Sequence, residues 1–298
     1  MFEYQPRGPF DLANQAQYFG GWPALRNDPA TIVLVFPVEG WQGSAAVTLR
    51  QGPDGSLVGN VHGPAELAQK AQEQALATLS LDIDAQAWPE VGQRDAVIGR
   101  LQSKYGFVRP TLFHSPYEAA AGFIIGHRIT IQQKNAIMRR MAMELGRKLA
   151  VDGQEFQAFP EPSVLLGLSN YQSLSDQKIE RLHAVALAAL DGLLDRQSLR
   201  AMPVAEALSK LETLPGIGPF FSQGILHRGA GLVDDITHDD LTYYAVQQAY
   251  QLGQPPDLER LNQITEAWRP FRMWTTVLLH IWVRREIGLP KKRTFSKR

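Results

Sequence analysis

The chain has 298 residues, with 30 Lys+Arg against 30 Asp+Glu, 44% hydrophobic residues and no cysteine. At roughly 100–200 residues per domain there is room for two domains with a proper core, and the balanced charge and ordinary apolar content exclude a disordered or collagen-like chain. The lack of cysteine excludes disulfides, thiol catalysis and thiolate-held zinc or iron–sulphur clusters.

The opening, MFEYQPRGPF, lacks the basic and apolar regions of a secretory signal. The longest apolar run, at 277–283, is broken by His280 and falls far short of the roughly 20 residues of a membrane span. A soluble, cytosolic protein is the expectation. Charge is uneven along it. Residues 1–110 carry 8 Lys/Arg against 11 Asp/Glu, a net charge of −3, and the remaining 188 carry 22 against 19, a net of +3. Five of those cations fall in the last nine residues, PKKRTFSKR. Any polyanion contact therefore belongs to the C-terminal part and involves few phosphates; a solvated basic tail is the plain alternative.

In chain order, the β-branched stretch 31–39 predicts a strand. Residues 45–51 and 56–61 predict two more, joined through Gly52-Pro53-Asp54-Gly55. Gly63-Pro64 ends that pattern, and helical spacing of apolar residues predicts a helix over 65–81. From about Arg109 the texture is helical, with predicted helices at 116–125, 130–151, 162–168, 176–194, 204–213, 219–228, 240–250, 257–268 and 271–287. The fold class read from this is α+β: an N-terminal antiparallel sheet with a helix, followed by a mainly α-helical bundle. The domains read as 1–108, 109–289 and a basic tail over 290–298.

The informative segment is LETLPGIGPFFSQGIL at 211–226. Leu214-Pro215-Gly216-Ile217-Gly218 makes a tight turn between two helices, with Ile217 placed to plug the gap between them. Pro215 cannot continue the helix as a donor, and the two glycines permit backbone shapes closed to other residues. Amides at the start of the second helix would favour an anion, and the bare glycines would let a phosphate come close without any base being read. A plain αα-hairpin with glycines for packing is the alternative. A third glycine at fingerprint spacing is missing and a helix, not a strand, precedes the turn, which argues against a dinucleotide site. Asp240 follows Gly218 by 22 residues, in the turn Ile236-Thr237-His238-Asp239-Asp240 that opens another helix.

Together these residues resemble the helix-hairpin-helix (HhH-GPD) DNA glycosylases, most closely the bacterial branch acting on 3-methyladenine. The turn 214–218, Arg228-Gly229 and Asp239-Asp240 fall close to the family spacing. Trp268-Arg-Pro-Phe-Arg272 and Leu278-Leu-His-Ile-Trp282 are similar to its last two helices. Phe123-Ile-Ile-Gly126, Phe159-Pro-Glu-Pro162 and the stretch from Pro9-Phe10-Asp11 to Tyr18 also resemble it, so the likeness spans nearly the whole chain.

The resemblance implies a monofunctional enzyme that flips an alkylated purine out of double-stranded DNA, hydrolyses its N-glycosidic bond and leaves an abasic site. Asp240, just before the first apolar residue of its helix, would be the catalytic carboxylate, with Asp239 the second choice and simple N-capping the alternative for either. Tyr18, Phe220 and Trp282 occupy positions like the aromatic pocket that holds a cationic base; each could instead be core. Leu214, Gly216 and Gly218 would meet the DNA backbone. The family's wedge follows Gly126, where glutamine is usual, and here His127 and Arg128 depart from the pattern. Phe220 stands near the place where backbone-cleaving members carry a lysine, and Phe cannot form a Schiff base. Ser222 replaces a usual alanine.

No cofactor is expected, nor any metal on side chains; the family's hairpin often holds a monovalent cation, which here would sit on the carbonyls of Glu212, Leu214 and Ile217. The expected setting is the nucleoid, and the expected state a monomer. A DNA-damage-binding protein without turnover, or a glycosylase for oxidised or deaminated bases, are the competing readings. Seven scattered histidines without His-Glu-x-x-His give a zinc hydrolase no support, and no phosphate-binding P-loop or Gly-x-Ser-x-Gly is present. His280 reads as a buried, hydrogen-bonded residue.

Overall fold

The computed structural model describes residues 1–15, 24–28 and 31–289; Tyr18 and the basic tail lie outside the described residues. The chain begins with β1 (Phe2–Tyr4), α1 (Leu12–Gln15), β2 (Ala24–Asp28), β3 (Thr31–Pro37), β4 (Ser44–Gln51) and β5 (Leu57–His62). Helices α2 (Ala68–Thr78), α3 (Trp88–Arg94), α4 (Ala96–Tyr105), α5 (Pro116–Gly126) and α6 (Ile131–Leu145) follow. A ribbon of β6 (Lys148–Val151) and β7 (Gln154–Gln157) precedes α7 (Pro162–Leu166), α8 (Asp176–Leu190), α9 (Arg196–Ala201), α10 (Val204–Glu212) and α11 (Pro219–Gly224). The last helices are α12 (Asp240–Ala249), α13 (Leu258–Glu266) and α14 (Arg272–Trp282). The mixed α+β class with an N-terminal antiparallel sheet is as expected.

Two compact units interleave along the chain. One comprises Met1–Pro6, Leu12–Ile83 and Thr111–Gly231; the other comprises Arg7–Asp11, Asp84–Pro110 and Leu232–Arg298.

The first unit holds an antiparallel sheet of order β1-β5-β4-β3-β2. The β4–β5 turn is the predicted one: Gly55 sits at φ +82°, and the Asp54 carboxylate accepts from the Ser56 amide at 3.1 Å. Strands β3 and β4 are buried almost throughout. One face, through Val33, Val35 and Ala46, is covered by Leu149, Val151, Phe156 and Ala158 of the ribbon and its flank.

That ribbon corrects the helix predicted over 130–151. α6 stops at Leu145 because Gly146 is pressed against the chain: a Cβ there would lie 1.9 Å from the Ala158 carbonyl oxygen. The chain then reverses at Asp152 (φ +48°) and Gly153 (φ +79°), the Asp-Gly pair that suits a two-residue hairpin. Two other predicted helices change character near their ends. α11 gives way at Ile225 to a π-helical turn reaching Ala230, and α14 to another over Val283–Ile287. The predicted helix over 65–81 is a 3₁₀ turn at Ala65–Leu67 followed by α2. Strands β1, β2 and β7 and helices α1, α3, α4 and α9 carried no prediction.

The second unit is built on aromatic rings. Trp88, Phe271 and Trp274 form a cluster with centroids 5.1–5.8 Å apart. The Arg109 guanidinium lies 5.5 Å from the Trp274 ring and donates to the carbonyls of Pro9 (3.0 Å) and Arg7 (2.6 Å), so this buried cation is satisfied. Asp95 caps α4 through the Val97 amide at 2.9 Å while also accepting from Trp268 Nε1 at 3.1 Å and the Tyr250 hydroxyl. Among the described residues no helix is long and apolar enough to cross a membrane.

Candidate functional site

In the first unit, α10 and α11 form the predicted hairpin. Leu214 and Ile217 are buried between them, and the Ile217 amide closes the turn on the Leu214 carbonyl at 3.0 Å. Gly216 takes φ +85°, a left-handed shape that glycine adopts without cost. Gly218 is extended, and a Cβ there would meet nothing within 4 Å. Neither glycine's amide donates a backbone hydrogen bond among the described residues. The turn is thus backbone open to an approaching acceptor. Ser222 is fully buried and donates to the Glu212 carboxylate at 2.9 Å, tying the two helices together.

Of the two phenylalanines that begin α11, Phe220 is 63% exposed, a large apolar ring facing solvent. Phe221 turns inward and stacks on Phe123 at 5.0 Å and 25°. The His127 ring meets the same Phe221 edge-on at 6.0 Å. His127 ends α5, and Arg128 beyond it is exposed with φ +59°, a left-handed shape costly for an arginine.

A groove of about 490 Å³ begins at this loop and is lined by His127, Arg128, Ser175, Gln177, Lys178 and Arg181. Lys178 donates to the Ile125 carbonyl at 2.7 Å. Partial burial, then the cations Arg128, Arg181 and Lys178, hold the His127 imidazolium below its ordinary range. Lys178 is likewise lowered, by burial and by Arg181. Arg181 reaches the hairpin: a Cβ on Gly216 would lie 2.7 Å from its Cδ and Nε. Lys178 and Arg181 were not read as site residues. Their three-residue spacing puts them on one face of α8, but nothing local in the sequence places that face against Gly216.

In the second unit, Asp239 and Asp240 stand at the start of α12. Asp239 is its N-cap, accepting from the Thr242 amide at 2.7 Å. His280 of α14 lies 3.0 Å from the Thr242 hydroxyl and 3.9 Å from the Asp239 carboxylate. It is hydrogen-bonded as expected but half-buried rather than buried. Asp240, one residue on, is exposed, and its carboxylate makes no hydrogen bond or ion pair among the described residues. Trp282, half-buried at the end of α14, opens onto a pocket of about 220 Å³ with Val97, Arg100, Leu101, Lys104, Ala249 and Glu286. Ala249 ends the helix that Asp240 begins, and nine residues of helix are about 13 Å long. That pocket therefore does not include Asp240.

No family model matches the chain. It is 28% identical over 216 residues to DNA-3-methyladenine glycosylase 2 of Escherichia coli, covering 70% of this chain and 71% of that protein. A 3-methyladenine DNA-glycosylase from Archaeoglobus fulgidus superposes with a TM-score of 0.79 at 18% identity, covering 95% of this chain and 98% of the other. A Clostridium acetobutylicum 8-oxoguanine glycosylase/lyase bound to double-stranded DNA superposes with a TM-score of 0.68 at 15% identity, covering 92% of each chain.

Proposed function

We propose that this chain, a homologue of the E. coli enzyme with the fold of the helix-hairpin-helix DNA glycosylases, excises alkylated purines such as 3-methyladenine and 7-methylguanine from double-stranded DNA. The observation that carries the assignment of the catalytic group is at α12: Asp239 takes the capping bond, and the Asp240 carboxylate is left free for a ligand.

Alkylation at N3 or N7 gives the purine a positive charge and makes it a good leaving group, so the chemistry needs little acid catalysis. The bond breaks through an oxocarbenium-like sugar. The Asp240 carboxylate stabilises that positive charge and orients or deprotonates the attacking water. The target nucleotide must leave the stack for this to happen. Gly216 and Gly218 offer bare backbone to a phosphate, and the exposed Phe220 ring offers its electron-rich face to a cationic base. His127 and Arg128 fill or flank the gap that the base leaves.

The reaction ends at an abasic site, because α11 carries no lysine to attack the sugar. The enzyme works as a monomer on damaged DNA in the nucleoid, and its own residues suffice for the chemistry. A monovalent cation on the carbonyls of Glu212, Leu214 and Ile217 would add charge behind the phosphate; the Leu214 oxygen already accepts from Ile217, which leaves it one lone pair to give.

The test is release of 3-methyladenine and 7-methylguanine from methylated DNA by the purified protein. Release by the wild type and none by Asp240→Asn, with DNA binding kept, supports the proposal. Unchanged release by Asp240→Asn removes the assignment, and binding to damaged duplex without release by the wild type makes the protein a damage sensor instead.

A further inference from the structure

The residues that meet DNA in the reading above come from the hairpin and from the loop after Gly126. Helix α8 adds charge that neither of them supplies. Arg181 and Arg128 make no ion pair among the described residues, although Glu180 and Asp176 are near in sequence. With Lys178 they bring three cations to one groove, close enough for all three to depress the His127 imidazolium. Like charges gathered without a counter-ion repel one another, and a chain of zero net charge has acids to spare for them. An anionic ligand removes that repulsion.

The place of Arg181 narrows which anion. Its Cδ, Nε and Cζ lie 2.7–3.0 Å from the position a Gly216 Cβ would take, so the guanidinium is laid along the turn. An acceptor that reaches the free Gly216 amide meets the guanidinium fork at the same time, and a fork of parallel N–H groups matches phosphate oxygens. Lys178 has a different task. Its bond to the Ile125 carbonyl anchors the end of α5, and so fixes the loop that holds Arg128 in its left-handed backbone.

We propose that Arg181, with Arg128 across the groove, grips backbone phosphates of a DNA strand passing over the Gly216 turn, so that the hairpin of this protein is a charged clamp rather than a purely backbone one. This rests on the repair reading. The contact is to phosphate, so it carries no base preference.

The experiment is the salt dependence of binding by the full chain to two duplexes, one intact and one with a tetrahydrofuran abasic analogue. Each phosphate contact contributes about 0.9 to the slope of log K against log salt. Arg181→Gln is expected to weaken binding to both duplexes alike and to lower the slope by about 1, and the double variant with Arg128→Gln by about 2. Arg181→Lys keeps the charge and restores most of the slope. Lys70→Gln, a cation on α2, leaves it unchanged. A wild-type slope in Arg181→Gln, with the wild type binding DNA normally, overturns this proposal and leaves the repair reading standing. A wild type that binds neither duplex overturns both.

Discussion

The Asp239 carboxylate accepts the Thr242 amide at 2.7 Å, and that single bond divides the work of two adjacent acids. A capping aspartate has one carboxylate oxygen engaged by the helix it caps, whereas the side chain of the acid after it has no partner among the described residues. Asp239→Ala is therefore expected to cost about 1 kcal/mol of stability. Asp240→Asn is expected to leave the melting temperature within about 1 °C, since it breaks no internal bond. In base release the ranking reverses, with Asp240→Asn inactive and Asp239→Ala reduced. Thermal unfolding and single-turnover release on the two variants check this, and equal losses of activity would show that the two acids act as a unit.

The two glycines of the turn separate in the same way. At Gly216 the backbone itself needs glycine: φ +85° costs another residue about 1–2 kcal/mol, and the new methyl group would displace Arg181. At Gly218 the backbone is extended and the space beside it is empty. Gly218→Ala should cost at most about 1 kcal/mol, the difference between glycine and alanine at an N-cap. It should nevertheless weaken DNA binding, because the methyl group stands where a phosphate would approach. Chemical denaturation beside a binding isotherm separates the two effects. Full DNA affinity in Gly218→Ala would mean that the open space is not used.

How far the sequence reveals this follows from the range of the interactions. Strands β3–β5 were legible because β-branched content and the Pro-Asp-Gly turn are local signals, and the hairpin because two glycines and a proline within five residues leave few conformations. The β6–β7 ribbon also had a local signal in Asp152-Gly153, but the helix former α6 runs straight into it and hides the boundary. What ends α6 is Ala158, twelve residues away from Gly146, a contact no window of helix periodicity contains. Arg181 lies further off still. Its helix carries an ordinary amphipathic pattern, and only tertiary packing lays its side chain along Gly216, 35 residues later. Trp282 likewise shares its pocket with Val97, Leu101 and Lys104 of α4, neighbours that no local motif around residue 282 contains.

Phe220 and Phe221 provide a third contrast. The Phe221 ring is stacked on Phe123 and edged by His127, so Phe221→Ala should cost about 2–3 kcal/mol, below the range for a fully buried ring. Phe220, mostly in solvent, should cost under about 0.5 kcal/mol when truncated. Its loss should instead fall on the substrate. Cation–π attraction of about 0.5–2 kcal/mol favours a cationic base over a neutral one. Release of 7-methylguanine by Phe220→Ala should then drop about 2–30-fold relative to release of a neutral base such as hypoxanthine. An equal drop for both bases would make Phe220 a generic contact.

His127 offers a pH test of the groove. Burial first, then Arg128, Arg181 and Lys178, hold its ring below the ordinary value of about 6.5, so it is neutral at pH 7 in the free protein. The folded value lies below the unfolded one. Its contribution to stability is therefore present above about pH 6.5 and is lost as pH falls toward the folded value. DNA changes the balance, because phosphates neutralise the three cations and leave burial as the main opposing influence. The ring's affinity for a proton then rises on binding, and a rise on binding means proton uptake. Affinity for duplex should accordingly increase as pH falls through the interval between the free and bound values. His127→Gln should flatten that dependence. Titration of the His127 ring by NMR, alone and with an abasic duplex, should show the midpoint moving up in the complex. Identical midpoints would mean that no phosphate enters the groove beside the ring.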